Sequence, residues 1–205
     1  SQEFGLELRP PALERVFGSP WRFLGERVKH VVEPRAAFRW VAGVNDYRDI
    51  LRFDERDLLA DTREVEYSLA NRLFSKRADG RVREVFSWEL AQRHFFDPTF
   101  GGALEPGRRN VFHSTLGLTP YAFLDGRRRF SPVTSLVRLL PAWNFGAEVR
   151  ADYDPDRHRF LNSGITVNLR KGNAFASLSD FYVQSSPLLQ LASHQLRGVL
   201  GYGYP

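Results

Sequence analysis

Three aspartates at alternate positions, Asp152, Asp154 and Asp156, come closest in this chain to a metal-binding motif. Such a triplet opens the calcium loop of an EF-hand, which also needs glycine at the sixth position and a bidentate glutamate at the twelfth. Arg157 and Ser163 occupy those two positions instead. The segment is therefore predicted to be a polar hairpin turn, because aspartate and proline both favour turns, and no metal site is predicted.

Histidine and serine do not form a catalytic pattern in this sequence. The five histidines stand at positions 30, 94, 113, 158 and 194, and the chain has no cysteine. Their spacing matches no zinc motif, so structural or surface roles are predicted. Ser114 follows His113, but no G-x-S-x-G sequence surrounds it. The sequence therefore predicts a protein that is not an enzyme and needs no cofactor.

The densest basic clusters are Arg108-Arg109 and the run from Arg127 to Arg129, both in predicted loops. They are interpreted either as solvated loop residues or as contacts for phosphate groups, which arginine binds in a bidentate manner. The net charge of +5 is dispersed among acids. Nucleic-acid binding on a sheet needs aromatic residues interleaved with basic ones on one face, whereas here the two alternate. No nucleic-acid partner is predicted.

The stretch from Trp143 to Lys171 predicts two long strands joined by a tight polar turn. In the first strand, apolar residues alternate with polar ones, so the two kinds face opposite sides of a sheet. Aromatic residues stand at both ends of the apolar face. This pattern occurs in soluble sheets, and it also matches a strand with one face in lipid and an aromatic girdle at each interface.

Similar alternation predicts strands at residues 4–8, 28–41, 63–75, 82–96, 111–124, 132–140, 173–185 and 195–204. Asp79-Gly80 is a hairpin signal. Residues 10–20, 43–61 and 97–110 are predicted to be connections, the second with one helical turn, and residues 126–129 a basic turn. Pro34 cannot donate a ladder hydrogen bond, which predicts an edge or weakly paired position.

These patterns predict an all-β antiparallel meander of about nine or ten strands, many of about 11 to 14 residues, without a helix. Globular strands usually have about 5 to 6 residues, whereas spanning strands need about 9 to 11. Strand length therefore favours part of a transmembrane β-barrel. The alternative is a soluble β-sandwich or lipocalin-like lipid-binding protein with its apolar faces turned inward. A secreted hydrolase would need a convergent acid or histidine cluster that the sequence does not display.

In a barrel, the polar face of these strands is predicted to line the lumen and to form the path of a substrate. The residues assigned to that path are Glu64, Glu66, Glu89, Arg93, Glu148, Arg150, Asp152, Asn168 and Arg170.

An ordered series of short motifs resembles the barrel domain of the LptD family, the outer-membrane lipopolysaccharide-assembly proteins also called organic solvent tolerance proteins. The motifs include His30 and Pro34, then Asp54 after a phenylalanine, then Asn71 and finally Gln92. The segments FFDPTFGGAL and RFSPV are similar to forms from acidobacteria-like genomes. The resemblance covers most of residues 28–205.

The resemblance implies a bacterial outer-membrane barrel that opens laterally and delivers lipopolysaccharide into the outer leaflet. Its implied partners are lipopolysaccharide, outer-membrane lipid, a plug lipoprotein and periplasmic bridge proteins. The chain departs from the family because it shows no periplasmic jelly-roll domain, no aromatic terminal residue and too few strands. Residues 1–205 are therefore expected to be one barrel-domain fragment, without the N-terminal periplasmic domain and the remaining strands.

Overall fold

A computed structural model of the chain describes residues 2–19, 24–43, 61–96, 129–142, 144–184 and 192–203, with backbone alone at 141 and 142. Ten β-strands form within these ranges. They are β1 (Gln2–Leu8), β2 (Leu13–Gly18), β3 (Arg27–Ala42), β4 (Thr62–Lys76), β5 (Val82–Phe95), β6 (Val133–Ala142), β7 (Phe145–Asp154), β8 (Arg159–Lys171), β9 (Ala174–Val183) and β10 (Ser193–Tyr202).

All ten strands belong to one antiparallel sheet in the order β1-β3-β4-β5-β6-β7-β8-β9-β10, with β2 also paired to β3. The predicted all-β antiparallel meander is confirmed. From β3 onward every strand pairs with the next strand in the chain, as hairpin connections favour. No α-helix occurs in the described ranges, and none of their segments is a helix long and apolar enough to cross a membrane.

The predicted connection from residue 10 to residue 20 is wrong in part, because residues 13–18 form β2. Strand β1 pairs with the second half of β3 and β2 pairs with the first half, so β1 and β2 together form one interrupted edge strand. The interruption is explained by Pro10 and Pro11, which have no N–H to donate to the ladder. Strand β2 was not predicted because it carries little periodicity, with Arg15 on the same face as Leu13 and Phe17.

Pro34 lies opposite that interruption. The β1 ladder ends at the pair Leu8 and Ala36, and the β2 ladder begins at the pair Leu13 and Val32. Pro34 keeps a register partner on β4 but has none in β1 or β2. The prediction of a weakly paired position is confirmed, although β3 itself lies inside the sheet.

The two ends of the sheet differ in how far apart in sequence the joined strand ends are. At one end, which we call the short-turn end, β4 leads to β5, β6 to β7 and β8 to β9 over a few residues each. At the other, which we call the long-connection end, the end of β3 and the start of β4, the end of β5 and the start of β6, and the end of β9 and the start of β10 are further apart in sequence, and the turn at 155–158 lies at this end too. The predictions for the loop at 44–60, the strand at 111–124 and the basic residues at 108–109 and 126–128 lie outside the described residues.

Two glycines in the last strands make room for aromatic rings. A Cβ added to Gly164 would lie 2.5 Å from the ring of Phe181, its register partner. A Cβ added to Gly201 would lie 2.3 Å from the ring of Phe175. Rings laid over cross-strand glycines help to pin the register of a sheet.

We expect Gly164→Ala to destabilise the fold, because the new methyl group displaces the Phe181 ring. The cost should be about 1 kcal/mol, the lower end of the range for overpacking, because the Phe181 ring is 39% exposed and can move. The midpoint of urea unfolding measures it.

The matched control is Gly198→Ala on β10, where nothing lies within 4 Å of the added Cβ. This change should leave the midpoint unchanged or raise it, since glycine weakens a strand interior. Equal losses in the two variants would show that the Phe181 contact does not set the cost.

Candidate functional site

The pairing register defines two chemically different faces of the sheet. In β4, Glu64, Glu66 and Arg72 point to one face, which we call the polar face, while Tyr67 and Leu69 point to the other, the apolar face. Side chains of directly paired residues share a face. Tracing the pairs from strand to strand therefore assigns the side chains of every strand to one of these two faces.

All nine residues predicted to line a lumen lie on the polar face. Register pairs connect Glu66 to Arg93, and neighbouring pairs extend the same face through Glu89 to Leu136 and Arg150. The complete set is Glu64, Glu66, Glu89, Arg93, Glu148, Arg150, Asp152, Asn168 and Arg170. They share a face but not one cluster, because they fall into separate groups of contacts.

The largest group is a chain of ion pairs across four strands. Arg93 Nε donates to Glu66 Oε2 at 2.6 Å, and its Nη1 lies 3.4 Å from Glu64 Oε1. Glu66 Oε1 also accepts a hydrogen bond from Arg35 Nη1 at 3.0 Å, and Arg35 pairs in turn with Glu7. The Glu64, Glu66 and Arg93 side chains are only 8%, 7% and 12% exposed. Charges buried to this degree are stable only when they are paired.

A second group surrounds Arg72 at the middle of the same face. Its Nε lies 3.2 Å from Glu33, and its two terminal nitrogens lie 3.9 Å from Glu84 and 3.8 Å from Glu89. Glu89 is thus the predicted path residue that belongs here. One guanidinium thus lies beside three carboxylates, two of which, Glu84 and Glu89, also interact electrostatically with Arg138.

A third group lies on β6 and β7. Glu148 accepts a hydrogen bond from Arg138 at 2.8 Å and another from Arg150 at 2.5 Å. Further along β7, the buried Asp152 accepts a hydrogen bond from Asn162 at 2.9 Å. The Arg138–Glu148 and Asn162–Asp152 contacts join cross-strand register partners, whereas Arg150 and Glu148 lie two residues apart on β7.

The last two predicted path residues, Asn168 and Arg170, are exposed on β8 near the short-turn end. They line a shallow depression with Asn144 and Phe175. On β9 the polar face becomes partly aromatic, because Phe175 and Phe181 point to it. Sequence reasoning missed these rings, and it missed Arg35, Arg72, Arg138 and Asn162 as partners; complementary charges at alternate positions of neighbouring strands were the available signal.

Side-chain exposure is reversed relative to a sheet in a soluble protein. On the polar face, Glu66 is 6% exposed and Thr134 is 5% exposed. On the apolar face, Trp88 is 39%, Ile165 is 43% and Leu178 is 54% exposed. Soluble domains bury large apolar side chains and rarely expose them as one continuous surface.

Aromatic rings on the apolar face gather near the two ends of the strands. Near the long-connection end, rings of Phe4, Phe38, Phe96, His94 and Phe130 follow one another with centroids 4.8 to 6.4 Å apart. Two further pairs, Tyr153 with Phe160 and Tyr182 with His194, continue the set on β7 to β10. We call this set the first aromatic row.

A second aromatic row, of Phe17, Phe86, Phe145 and Tyr202, lies on the same face towards the short-turn end. Aliphatic side chains occupy most of the apolar face between the two rows.

A cavity of about 520 Å³ opens on the sheet where the edge strand is interrupted. Its lining includes Pro10 and Pro34 together with the charged residues Arg9, Arg35 and Arg72. Arg9 lies beyond the end of β1, and its Nε donates a hydrogen bond to Glu7 Oε1 at 2.8 Å. The broken ladder and the charged face therefore meet at one place.

The residues that carry the family resemblance lie on the apolar face where they are described. His30, Pro34, Asn71 and Gln92 all point to it. Gln92 donates to the Ser131 carbonyl at 3.0 Å and accepts a hydrogen bond from the Tyr67 hydroxyl. Asp54 lies outside the described residues. These positions are therefore separated from the predicted lumen path, which occupies the opposite face.

The aspartate triplet forms the predicted hairpin turn between β7 and β8. Asp154 is buried, and its Oδ1 accepts hydrogen bonds from the backbone N–H groups of Asp156 at 3.0 Å and Arg157 at 3.3 Å. His158 adopts a left-handed conformation with φ of 52°, which allows the chain to reverse. Across the part of the chain that is described, no three acidic or histidine side chains converge on a point that could hold a metal ion.

Comparisons with known proteins supply no family assignment. No family model matches the chain, and no curated protein matches it. The resemblance to the LptD family stays a prediction that rests on the ordered sequence motifs.

We expect Arg93→Ala to be strongly destabilising, because it leaves Glu64 and Glu66 buried without this cation. Removing one partner of a buried ion pair costs about 3 to 5 kcal/mol. The free energy of unfolding from a urea titration measures the loss.

The control is Arg39→Ala, which removes an ion pair with Glu3 whose two side chains are 38% and 55% exposed. Exposed pairs contribute about 0 to 1 kcal/mol, so this variant should unfold near the wild-type midpoint. Comparable losses for Arg39 and Arg93 would contradict the importance of the buried network.

Proposed function

We propose that this chain forms part of the wall of a bacterial outer-membrane β-barrel that passes lipopolysaccharide to the outer leaflet. Its role is not enzymatic. The sugar moves along the polar face while the acyl chains leave sideways between weakly paired strands. The supporting observation is the reversed exposure of the sheet, with buried charged side chains on one face and exposed apolar side chains on the other.

A lipid bilayer is an environment in which a sheet with an exposed apolar face is stable. Transmembrane strands alternate apolar residues towards lipid with polar residues towards the lumen. Leu69, Val149 and Ile165 on the apolar face are each more than a third exposed, and in lipid this exposure carries no hydrophobic penalty. The ion pairs of the opposite face would remain within the barrel, away from hydrocarbon.

The two aromatic rows have the spacing of the two membrane interfaces. Phe86 and His94 are eight residues apart on β5, as are Phe145 and Tyr153 on β7. At about 3.3 Å per residue this corresponds to about 26 Å along a strand. A strand tilt of about 40° reduces the height to about 20 Å, comparable with the apolar band of about 25 Å in such barrels.

The polar face offers a path for a sugar headgroup. Arginines and carboxylates alternate across β1 to β7 and are paired with each other, so they can exchange partners with hydroxyl or phosphate groups of a passing ligand. The aliphatic residues on the other side of the same strands would contact acyl chains. A glycolipid with one polar and one apolar part matches this division.

The interrupted edge strand is the candidate for the lateral opening. Between the pair Leu8 and Ala36 and the pair Leu13 and Val32, the ladder is missing, and Pro10, Pro11 and Pro34 lack N–H groups that could close it. Fewer backbone hydrogen bonds lower the cost of separating β1 and β2 from β3. The cavity on the polar face opens at the same position.

The partners follow from the family resemblance. They are lipopolysaccharide and outer-membrane lipid, a lipoprotein that plugs the barrel, and periplasmic bridge proteins that supply the substrate. The alternative, a soluble β-sandwich or lipocalin-like carrier, needs the apolar face turned inward, and the exposure of Leu69, Trp88 and Ile165 argues against it.

We expect Trp88 to be quenched by bromine atoms in the acyl chains of a bilayer. The experiment uses a variant in which the other three of the four tryptophans are replaced by phenylalanine, reconstituted into vesicles of brominated phosphatidylcholine. Tryptophan fluorescence is the readout. Strong quenching is expected because Trp88 is exposed on the apolar face.

The control is the same variant with two further changes, Trp88→Phe and Asn168→Trp, so that its single tryptophan lies on the polar face. Its fluorescence should resist bromine and respond to aqueous iodide. Equal bromine quenching at both positions, or a chain that stays soluble and monomeric without detergent, would reject the membrane assignment.

We expect a disulfide between β1 and β3, beside the gap, to block the sideways passage of acyl chains through the opening. The variant Leu8→Cys with Ala36→Cys joins register partners beside the gap. Cross-linking to lipopolysaccharide that carries a photoreactive acyl chain should fall when the disulfide is oxidised and return when it is reduced.

The control disulfide, Val149→Cys with Ile165→Cys, joins register partners of β7 and β8, far from the interrupted edge. Oxidising it should leave the cross-linking unchanged. Undiminished cross-linking with the first disulfide formed would place the opening elsewhere.

A further inference from the structure

We infer that Phe175 and the polar side chains beside it form a carbohydrate-binding site on the polar face of the sheet. The site lies near the short-turn end, in the depression that Asn168 and Arg170 line. Its ligand is the pyranose ring of a sugar, which stacks on the Phe175 ring and forms hydrogen bonds with the neighbouring side chains. The inference rests on the proposed function and deepens it, because it identifies a place that holds the sugar part of the glycolipid.

The Phe175 ring is exposed on the face of the sheet that carries the charged side chains. Its register partner on β8 is Arg170, and its register partner on β10 is Gly201. Phe175 is 47% exposed, so nearly half of its surface is available to a ligand. In the proposed barrel, lipid contacts the opposite face of the sheet. Contact with acyl chains of the bilayer therefore does not explain this exposed ring.

A glycine holds the Phe175 ring in place. A Cβ added to Gly201 would lie 2.3 Å from both Cε1 and Cζ of Phe175, so the ring fills the space above this glycine. Contact on one side restricts the ring, while the rest of its surface stays exposed. Binding to a side chain that is already fixed costs less conformational entropy. Phe175 is therefore preorganised for contact with a flat ligand.

Hydrogen-bonding groups without partners lie beside the ring. The side chains of Asn168 and Arg170 are exposed, and no described side chain forms a hydrogen bond or an ion pair with either of them. Both line a depression of about 450 Å³ together with Phe175 and Asn144, a volume within the range of small-ligand sites. At Arg93, in contrast, the guanidinium is already paired with carboxylates.

These groups match the two kinds of surface of a sugar. The faces of a pyranose ring carry C–H groups, which are attracted to the negatively polarised face of an aromatic ring. Its hydroxyl groups lie around the rim, and each can donate and accept hydrogen bonds. The Asn168 amide offers donors and an acceptor, and the Arg170 guanidinium offers further donors. A phosphate group would use the guanidinium but would gain nothing from the Phe175 ring.

A second ring on the same strand extends the site. Phe181 points to the same face, is 39% exposed and lies over Gly164. Phe175 and Phe181 are six residues apart on β9, which corresponds to about 20 Å along the strand. Ser177 and Ser179 lie between them on the same face. A strip with a ring at each end and hydroxyl groups between them fits a chain of several sugars.

The test measures binding of a lipid-free oligosaccharide to the full chain. The probe is the core oligosaccharide of a lipopolysaccharide, released by mild acid and then dephosphorylated, so that binding of phosphate to arginine does not contribute. In NMR, saturation of the aromatic protons of the protein should be transferred to the ring C–H protons of the sugar. The absence of transfer with the wild-type chain would overturn the inference.

Phe175→Leu keeps an apolar side chain on β9 but removes the ring. The affinity for the oligosaccharide, measured by calorimetry, should fall by about two- to tenfold, as expected for the loss of one aromatic contact. The matched control is Phe160→Leu on the apolar face of β8, where Phe160 is 56% exposed. This control should bind as the wild-type chain does. Equal losses in the two variants would contradict a site at Phe175.

The glycine beneath the ring provides a second pair of variants in which Phe175 is retained. Gly201→Ala places a methyl group where the ring lies, so it should displace the ring and weaken binding of the oligosaccharide. Gly198→Ala, where nothing lies within 4 Å of the added Cβ, should not weaken it. An affinity that Gly201→Ala leaves unchanged would show that the ring held over Gly201 does not bind the sugar.

An acyl chain is the competing occupant of an exposed aromatic ring. Transfer of saturation to the methylene protons of added lauric acid, with none to the oligosaccharide, would assign Phe175 to lipid and overturn the inference. Because the oligosaccharide has no lipid, its binding is independent of the Trp88 measurement. Sugar binding without quenching of Trp88 would retain this site and reject the membrane assignment, whereas quenching without sugar binding would reject this site alone.

Discussion

The register of β3, β4 and β5 is the constraint on which both faces of the sheet depend. Because side chains alternate with a period of two, a slip of one residue would exchange the faces of a strand. Arg35, Glu66 and Arg93 meet across these three strands only in the observed register. A slip would move these charges to the apolar face and leave their partners buried. The ion pairs therefore fix the register of these strands in addition to neutralising each other's charge.

Strong alternation made most strands predictable from sequence. The segment from Trp143 to Lys171 contains the hairpin of β7 and β8, and Asp79-Gly80 marks the turn between β4 and β5, as hairpin chemistry predicts. Strand β2 was not predicted, since its six residues follow two prolines and carry little periodicity by themselves. Its position is fixed by pairing with β3, which is a property of the sheet and not of the segment.

The nine path residues could be assigned to one face from alternation alone, but their contacts could not. Contact requires cross-strand register, and the bulges between Leu73 and Phe74 and between Asp152 and Tyr153 shift that register locally. The sequence also could not show whether the apolar face turns inwards or outwards, because a soluble sheet and a membrane sheet have the same alternating pattern. The exposure of Trp88 and the burial of Glu66, on which the proposed membrane orientation rests, become visible only once the strands are assembled.

The polar face changes from charged side chains at β3 to β7 to aromatic rings at β9, and this change affects where an amphiphilic ligand would bind. Around Arg93 and Arg72, each cation already has carboxylate partners, so a ligand phosphate must displace a carboxylate before it can bind. Binding by exchange is weak, which favours passage over retention. Towards β9 the same face presents Phe175 and Phe181, where rings replace charges and no such exchange occurs. A phosphate group of such a ligand would therefore bind against β3 to β7 and not against β9, beside the strands whose ladder is interrupted.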